Sequence, residues 1–289
     1  MPSHPFRVLG LSALILVAGE ALAWGQSLPL EPLHESGASV TGAFEGWFKN
    51  PDGSYSLLLG YYNRNQRQEL DIPIGPENRM EPGGPDRGQP THFLPGRQWG
   101  LFVVKVPAGF GENKISWTIV ANGQTTIIPA SLKADYEISP FQEAAVGNTP
   151  PILGFGESGP TVQGPRGLSV ERTAKAGNPL NLTVWVSDDA KLTTNSGARP
   201  RNLGPPVTVT WSKYRGPGAV TFANNKPGVE KAEGGEPNVR FSGKAVTTAT
   251  FSLTGEYVLH VTANDYSGDG GSGFQCCWTS GEVKVSVQP

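Results

Sequence analysis

The chain contains two cysteines, Cys276 and Cys277, and they are adjacent. Neighbouring residues on a strand point to opposite faces, so an ordinary strand would bury one thiol and expose the other. Three states are open: two reduced thiols, a bridge between two chains, or a vicinal disulfide. The vicinal bond needs a distorted backbone, because ordinary disulfides join Cα atoms about 4.4–6.8 Å apart. Four glycines between Gly268 and Gly273 make that distortion easier to accommodate.

A histidine in a long Gly- and Pro-rich segment is the candidate for catalysis. His92 lies in residues 75–96, which also contain Glu77, Glu81 and Asp86. Long loops of this kind are often functional or packed as Ω-loops. A histidine among carboxylates suits a hydrolytic or metal site, and a solvated loop histidine is the alternative. No nucleophile elbow and no phosphate-binding loop motif accompanies it, so we expect a protein without enzymatic activity.

Adjacent aromatic residues form the candidate ligand-binding set. Neighbouring rings on a strand point to opposite faces, so one ring of each pair is exposed or covered by a loop. Rings that cover C–H surfaces, beside amide and guanidinium donors, suit a sugar or peptide. Core packing beneath a loop is the alternative interpretation. The residues are Trp47, Tyr61, Tyr62, Asn63 and Arg64.

The elements that position these residues are strands and turns. Asn50–Gly53 (Asn-Pro-Asp-Gly) and Asn122-Gly123 each separate two apolar runs and predict hairpins. Apolar residues alternate along 180–186 and 257–263, as they do on half-buried strands. His260 is out of phase with the second set and is expected at the surface. No segment has a helical period with caps, so the sequence predicts an all-β protein.

Composition supports this fold class and excludes several functions. The 289 residues include 38 glycines and 26 prolines, which suits short strands joined by many turns. There are 23 Lys and Arg residues against 25 Asp and Glu, a formal net charge of −2. Without a basic cluster, nucleic acid is not an expected partner. No segment after the N-terminal region is long and apolar enough to predict a membrane span.

The N-terminus has the pattern of a secretory signal peptide over residues 1–23. Arg7 supplies a positive start, Val8–Ala18 is the apolar region, and Ala21-Leu22-Ala23 has the small residues of a cleavage site. We expect cleavage after Ala23. The predicted location is therefore secreted, periplasmic or at the cell surface, where disulfides persist.

The remaining chain predicts two tandem immunoglobulin-like antiparallel β-sandwiches. The expected boundaries are 24–139 for the first, 140–152 for a Pro-rich linker and 153–289 for the second. Proline cannot donate to a sheet ladder, so Asn148–Pro151 favours an extended connection rather than a central strand. We expect proteases to cut there and each half to unfold cooperatively by itself.

Three stretches of the second half carry a family resemblance, which covers about residues 150–289. They are Val207–Trp211 with its Trp, Gly255–Gly268 with Tyr257 before an exit at Asp265, and the closing run Val283–Val287. Together they resemble the PKD-type and cadherin-like members of the immunoglobulin-like superfamily. The resemblance implies a fold in which Trp211 is core and Tyr257 forms a corner. It also implies roles as spacers, adhesion units or binding platforms.

The cadherin-like resemblance also implies Ca²⁺ at the joint between domains. The matching positions are Asn148, Asp188, Asp189 and Asp265. Ca²⁺ takes about six to eight oxygen ligands, which clustered Asp and Asn side chains supply. The sequence departs from the family pattern at Gly147, where an Asp is usual. Polar loop residues at one end of a sandwich are the alternative.

The resulting interpretation is an exported, non-enzymatic module that binds, spaces or adheres to something at the cell exterior. Its expected partner is an unknown protein or polysaccharide. One alternative is a carbohydrate-recognising accessory protein that uses the aromatic residues of the first half. Another is a hydrolytic enzyme with its site in the 75–96 segment.

Overall fold

The computed structural model describes residues 34–143, 147–191, 204–232, 239–265 and 276–289, and it is built from strands. In chain order the strands are β1 (Val40–Lys49), β2 (Tyr55–Asn63), β3 (Leu70–Asp71), β4 (Asn78–Glu81), β5 (His92–Phe93), β6 (Gly96–Val106), β7 (Lys114–Ala121), β8 (Gln124–Ser131), β9 (Ile152–Gly154), β10 (Thr161–Gln163), β11 (Ser169–Lys175), β12 (Leu180–Asp188), β13 (Thr208–Arg215), β14 (Val220–Phe222), β15 (Val229–Lys231), β16 (Phe241–Phe251), β17 (Gly255–Asn264) and β18 (Trp278–Gln288). Two short 3-10 turns are the helical elements of these ranges. The predicted all-β class is confirmed. The described residues contain no helix with the length and apolarity needed to cross a membrane.

The first half is a sandwich of two three-stranded antiparallel sheets, β1-β2-β6 and β4-β7-β8. A two-stranded ladder, β3-β5, lies beside them. Alternation along β2 directs Leu57, Leu59 and Tyr61 into the core, where they pack with Trp117 and Phe93. The core of this half is therefore rich in aromatic rings that fit edge to face.

Both predicted hairpins are confirmed. In the first, Asn50 N donates to Ser54 O over 2.8 Å, and Gly53 takes a φ of 83° that closes the turn. In the second, Asn122 and Gly123 have φ values of 51° and 76°. Positive φ at both central residues is the geometry of a primed two-residue turn, which matches the twist of β7 and β8.

The 75–96 segment is packed rather than a structureless loop. It contains β4 and β5. Asn78 holds it in place: its Nδ2 donates to the Ile72 and Pro90 carbonyls, and its Oδ1 accepts from Trp117 Nε1 over 3.0 Å. A buried amide that satisfies backbone carbonyls lets an irregular segment cover a core.

The second half pairs the sheets β10-β9-β12-β16-β14 and β11-β18-β17-β13, with β15 also on β16. Trp211 and Tyr257 are buried in its core, and Tyr257 Oη donates to Leu253 O over 2.9 Å. Both positions agree with what the resemblance implied. One pair, β11 with β18, is parallel, so the expectation of wholly antiparallel sheets was wrong there. Membership of the PKD or cadherin type stays a prediction.

The two halves contact each other across the face of β13, β17 and β18 that points away from the second core. Lys213 Nζ lies 2.8 Å from Asp71 Oδ1, and Trp278 Nε1 donates to Gly100 O over 3.3 Å. Tyr214 is counted in the first core although it belongs to β13. Residues 33–289 form one compact unit. Independent unfolding of the halves stays a prediction.

Candidate functional site

The face of β17 opposite the second core is covered by the first half. Tyr257 and Leu259 point into the second core, so His260 and Thr262 point the other way. The expectation of a surface histidine was wrong: His260 is only 4% exposed and its ring stacks on Tyr214, with centroids 5.6 Å apart. Local alternation set the direction of the side chain correctly, but packing of a distant segment buried it.

Beside His260, a cleft of about 280 Å³ opens between the two halves. Trp99 and Arg97 line it from β6, and His260 and Ser212 line it from the second sandwich. Lys226 completes the rim from the loop after β14. The cleft therefore combines aromatic, hydroxyl and cationic groups, a mixture found in sites that orient small polar ligands.

Of the two cationic side chains that line the cleft, only Arg97 is paired with a carboxylate in the described residues. The Arg97 guanidinium lies 4.0 Å from the Trp99 ring centroid and donates to Glu45 Oε1 over 2.7 Å. Burial raises the pKa of Glu45, against Arg97, which lowers it. Lys226 is exposed and makes no ion pair within the described residues. Arg97 thus has a carboxylate partner in the protein, whereas Lys226 makes no such pair within the described residues.

His260 is neutral in this arrangement. Burial lowers its pKa to about 4, against a hydrogen bond with the Leu101 backbone, which raises it. Its Nδ1 lies 3.4 Å from Thr262 Oγ1. Its Nε2 is buried. The ring is therefore packed within the junction of the halves.

The sequence did not single out this cleft. The available signal was the spacing of Arg97 and Trp99, which lie two residues apart and so share one face of a strand. Lys226 and His260 are far from them in sequence, and no local pattern connects them.

The predicted His92 site is an ion-pair network between the halves. His92 is buried, with Nδ1 2.9 Å from Asp71 Oδ1 and Nε2 3.4 Å from Glu69 Oε2. Burial raises the pKa of Asp71, but hydrogen bonds from Lys213 and His92 outweigh it and lower the pKa overall. Asp86, which lies close to His92 in sequence, pairs with Arg215 of the second half. The contacts of His92 therefore belong to the junction of the halves.

Three of the five predicted ligand-binding residues lie inside the fold. Trp47 donates from Nε1 to a backbone carbonyl, the Tyr61 hydroxyl accepts from a backbone N–H, and Asn63 donates to two carbonyls. All three are buried. Tyr62 and Arg64 remain partly exposed, with the guanidinium 5.1 Å from the ring centroid. Only these two are accessible to a ligand, because the hairpin strands and their loops cover the rest.

The structure brings the predicted calcium residues to one end of the second sandwich. Asn148 Nδ2 donates to Asp265 Oδ2 over 2.6 Å, and Asp189 Oδ2 accepts from Thr149. Asn148 Oδ1 and Asp188 Oδ2 are buried and make no hydrogen bond within the described ranges. No three His, Cys, Asp or Glu side chains of those ranges are close enough together to hold a metal ion. These residues thus lie at one end of the second sandwich without forming a group of metal ligands in the described ranges, and calcium there stays a prediction.

The calcium hypothesis predicts that millimolar Ca²⁺ releases heat in a calorimetric titration and raises the melting temperature. Binding to the folded state alone stabilises it by mass action. Asp188→Asn should abolish both effects, because it removes a buried carboxylate oxygen that has no protein donor. If Ca²⁺ releases no heat with the wild-type protein and does not shift its melting temperature, the calcium hypothesis is wrong.

Cys276 and Cys277 are joined to each other in the structure, across a cis peptide bond. They are 2% and 0% exposed, and their sulfur atoms lie 3.9 and 3.5 Å from the Asn148 carbonyl oxygen. The glycine-rich segment before them, 266–275, lies outside the described residues. The pair lies beside Asn148, in the connection between the halves, and directly precedes Trp278, which donates to Gly100 of the first half.

Intact mass measures the state of these cysteines. We expect the exported protein to be lighter by two hydrogen atoms than the reduced chain, and to resist alkylation until a reductant is added. Burial alone would also block alkylation, so the reaction is run on denatured protein as well. Two thiols that alkylate in denaturant without reductant would contradict the vicinal disulfide.

No protein-family model matches the chain, and no curated protein matches it. Among solved structures, domains 4 and 5 of the S-layer protein SbsC are similar at 13% identity, covering 87% of this chain and 98% of that one, with a TM-score of 0.22. The D00-D0 domain of intimin is similar at 12% identity, with 86% and 99% coverage and a TM-score of 0.25. A Porphyromonas gingivalis W83 protein of unknown function is similar at 10% identity, with 86% and 100% coverage and a TM-score of 0.23. Similarity at this level carries no argument about function, which is therefore argued from the site.

Proposed function

We propose that the protein is an exported, non-enzymatic binding module whose ligand site is the cleft between the two sandwiches. The observation that carries this is an exposed aromatic ring at the rim of a cleft with polar walls. Trp99 is 43% exposed there, and Ser212, Thr262 and Lys226 line the same cleft. An aromatic face and a few polar atoms are what a small polar ligand requires.

Binding accounts for the titratable groups of the cleft better than catalysis does. An acid–base catalyst works best when its pKa is near the working pH. The pKa of His260 is about 4, and Arg97 is held by Glu45. The cleft instead offers groups that can contact a ligand, namely the Trp99 ring and the hydroxyls of Ser212 and Thr262.

A rigid spacer is the second candidate function. It is favoured by the polar contacts that join the halves, in which Lys213 pairs with Asp71 and Arg215 pairs with Asp86. Charged pairs of this kind, together with Trp278 on Gly100, would hold the sandwiches in one orientation. The spacer function does not need an occupied cleft.

Tryptophan fluorescence separates the two candidates. The full chain is titrated with a panel of soluble polysaccharides and peptides from cell exteriors. A binding module should show saturable binding that Trp99→Ala weakens, with little change in thermal unfolding, because this ring is 43% exposed at the rim. A ligand that binds wild type and Trp99→Ala equally would place the site elsewhere. A spacer should bind nothing in the panel and give a single fixed interdomain distance in small-angle scattering.

A further inference from the structure

The ring at the rim of the cleft is held in place by the side chain that stacks behind it. The Arg97 guanidinium lies 4.0 Å from the centroid of the Trp99 ring and covers one of its faces. This guanidinium is fixed by hydrogen bonds to the Tyr61 carbonyl over 3.0 Å and to Glu45 Oε1 over 2.7 Å. Glu45 Oε2 in turn accepts from the Gly100 N–H over 2.7 Å. The ring is therefore fixed before any ligand arrives, and its exposed part is left for the ligand.

A fixed aromatic face suits a ligand that has a flat apolar side. Holding the ring in its bound position in advance reduces the entropy that binding costs. An aromatic face packs well against C–H groups, and a sugar ring presents several of them on one side, with hydroxyl groups around its edge. Trp99 therefore favours a ligand with the shape of a sugar ring.

The walls of the cleft offer partners for the hydroxyl groups of such a ligand. Thr210 and Ser212 alternate with core residues along β13 and line the cleft, as does Thr262 on β17. Neither Thr210 nor Ser212 makes a side-chain hydrogen bond within the described residues. Asn225 adds an exposed amide from the loop after β14. Hydroxyl and amide groups both donate and accept, so they match the hydroxyl groups of a sugar.

The charges around the cleft suit an uncharged ligand. No Asp or Glu is among the described residues that line it. The charge of Arg97 is matched by Glu45, and Lys226 is exposed to water at the rim. A charge that the ligand buried inside the cleft would need a partner there, because removing it from water is costly. The interior walls offer hydroxyl and amide groups instead.

An extended peptide is disfavoured as the ligand because the sheet edge beside the cleft is already covered. The edge strand of this sheet is β13. Its Trp211 N–H donates to the Asn225 carbonyl over 2.8 Å, and its Tyr214 carbonyl accepts from the Thr91 N–H over 3.1 Å. Extended peptides bind sheet edges by pairing with free backbone groups, and these groups are already paired.

We infer that the ligand of the cleft is an uncharged polysaccharide, with one sugar ring stacked on Trp99 and its hydroxyl groups bound by Thr210 and Ser212. This inference rests on the proposed function, since it names the ligand class of the same cleft. The volume of about 280 Å³ is small for a ligand pocket, so one sugar unit lies inside and the chain continues outside.

Affinity electrophoresis of the full chain tests the ligand class, in gels that contain a soluble β-glucan, arabinoxylan or galactomannan. At least one of these gels should retard the wild-type protein, and added salt should leave the retardation unchanged, because salt screens only charges. Trp99→Ala should weaken binding by about tenfold and Ser212→Ala by about threefold, the losses typical of one ring contact and one hydrogen bond. Trp99→Tyr should retain most of the affinity, because it keeps an aromatic face.

Trp185→Ala is the matched control. Trp185 is also a partly exposed ring beside a cation, with Lys244 Nζ 6.0 Å from its centroid, but it lies on β12 in the other sheet of the second sandwich. This variant should bind like wild type. Thermal unfolding of each variant verifies that it is folded.

The remaining outcomes separate the ligand class from the site. Retardation that added salt abolishes would overturn the uncharged class. No retardation by any of the three polysaccharides would overturn the inference, while a peptide that wild type binds and Trp99→Ala does not would keep the cleft as the site. Retardation that Trp185→Ala abolishes and the cleft variants leave unchanged would overturn both the inference and the cleft as the site.

Discussion

Replacing Gly100 with alanine is expected to destabilise the protein by about 3 kcal/mol or more. Gly100 has a φ of 49°, and a Cβ there would overlap the Trp278 indole, 2.6 Å from Cε2 and closer still to Cζ2. Trp278 also donates to the Gly100 carbonyl. The added methyl group would therefore push apart the contact that joins the two halves, as well as straining the backbone.

Gly96→Ala is the control, because it separates backbone strain from the collision. Gly96 lies on the same strand with a φ of 80°, and nothing lies within 4 Å of the position of its Cβ. Strain alone should cost about 1 kcal/mol. Urea unfolding of both variants gives the comparison. Equal losses of stability would mean that the contact with Trp278 contributes little to holding the halves together.

The second large expected effect is on the pH dependence of stability, to which two buried groups, His260 and Asp188, contribute with opposite signs. The pKa of His260 is lowered to about 4, chiefly by burial. The ordinary value applies in the unfolded chain, so below about pH 6.5 the unfolded state binds a proton that the folded state does not. Stability is therefore lost as the pH falls, by about 3 kcal/mol when the pH reaches the folded pKa.

Asp188 acts in the opposite direction. Burial first, and then the carboxylates of Asp265 and Asp189, raise its pKa to about 7, against backbone hydrogen bonds that lower it. The stability that this raised pKa contributes is fully present below the pKa of Asp in the unfolded chain. It is lost as the pH rises to about 7, because the unfolded state releases the proton first. The loss is about 4 kcal/mol.

Between about pH 4 and pH 6.5 the two slopes nearly cancel, so the wild-type curve should be flat while single variants show the slopes. His260→Gln should gain stability relative to wild type as the pH falls. Asp188→Asn should gain stability relative to wild type as the pH rises. Urea unfolding free energies across this window measure both. Parallel curves for the wild type and a variant would show that the group is not titrating as described.

Much of the fold follows from short-range sequence patterns. The turns at Asn50–Gly53 and Asn122-Gly123 were predicted because each sequence prefers one local backbone conformation, and both formed as expected. Alternation identified β12 and β17 and the faces they bury, since neighbouring side chains on a strand must point to opposite sides. The corner at Tyr257 followed from the resemblance.

Short strands were missed because their stability comes from neighbours. The strand β5, which pairs with β3, has two residues, too few for a periodic pattern. β11 was missed for another reason: it is mostly exposed and its parallel pairing with β18 joins segments about a hundred residues apart. In each case the pairing partner, and not the segment itself, determines the structure.

The candidate site shows the same division between local and distant effects. The sequence by itself determined that His260 leaves the second core, because strand geometry is local. Only the tertiary structure decided that the first half covers His260, that Trp47 and Tyr61 are core, and that a cleft lies between the halves. These outcomes depend on which faces two separately formed sandwiches bury against each other. That choice is set by the summed packing of residues more than a hundred positions apart, such as Arg215 on Asp86, and no local pattern records it.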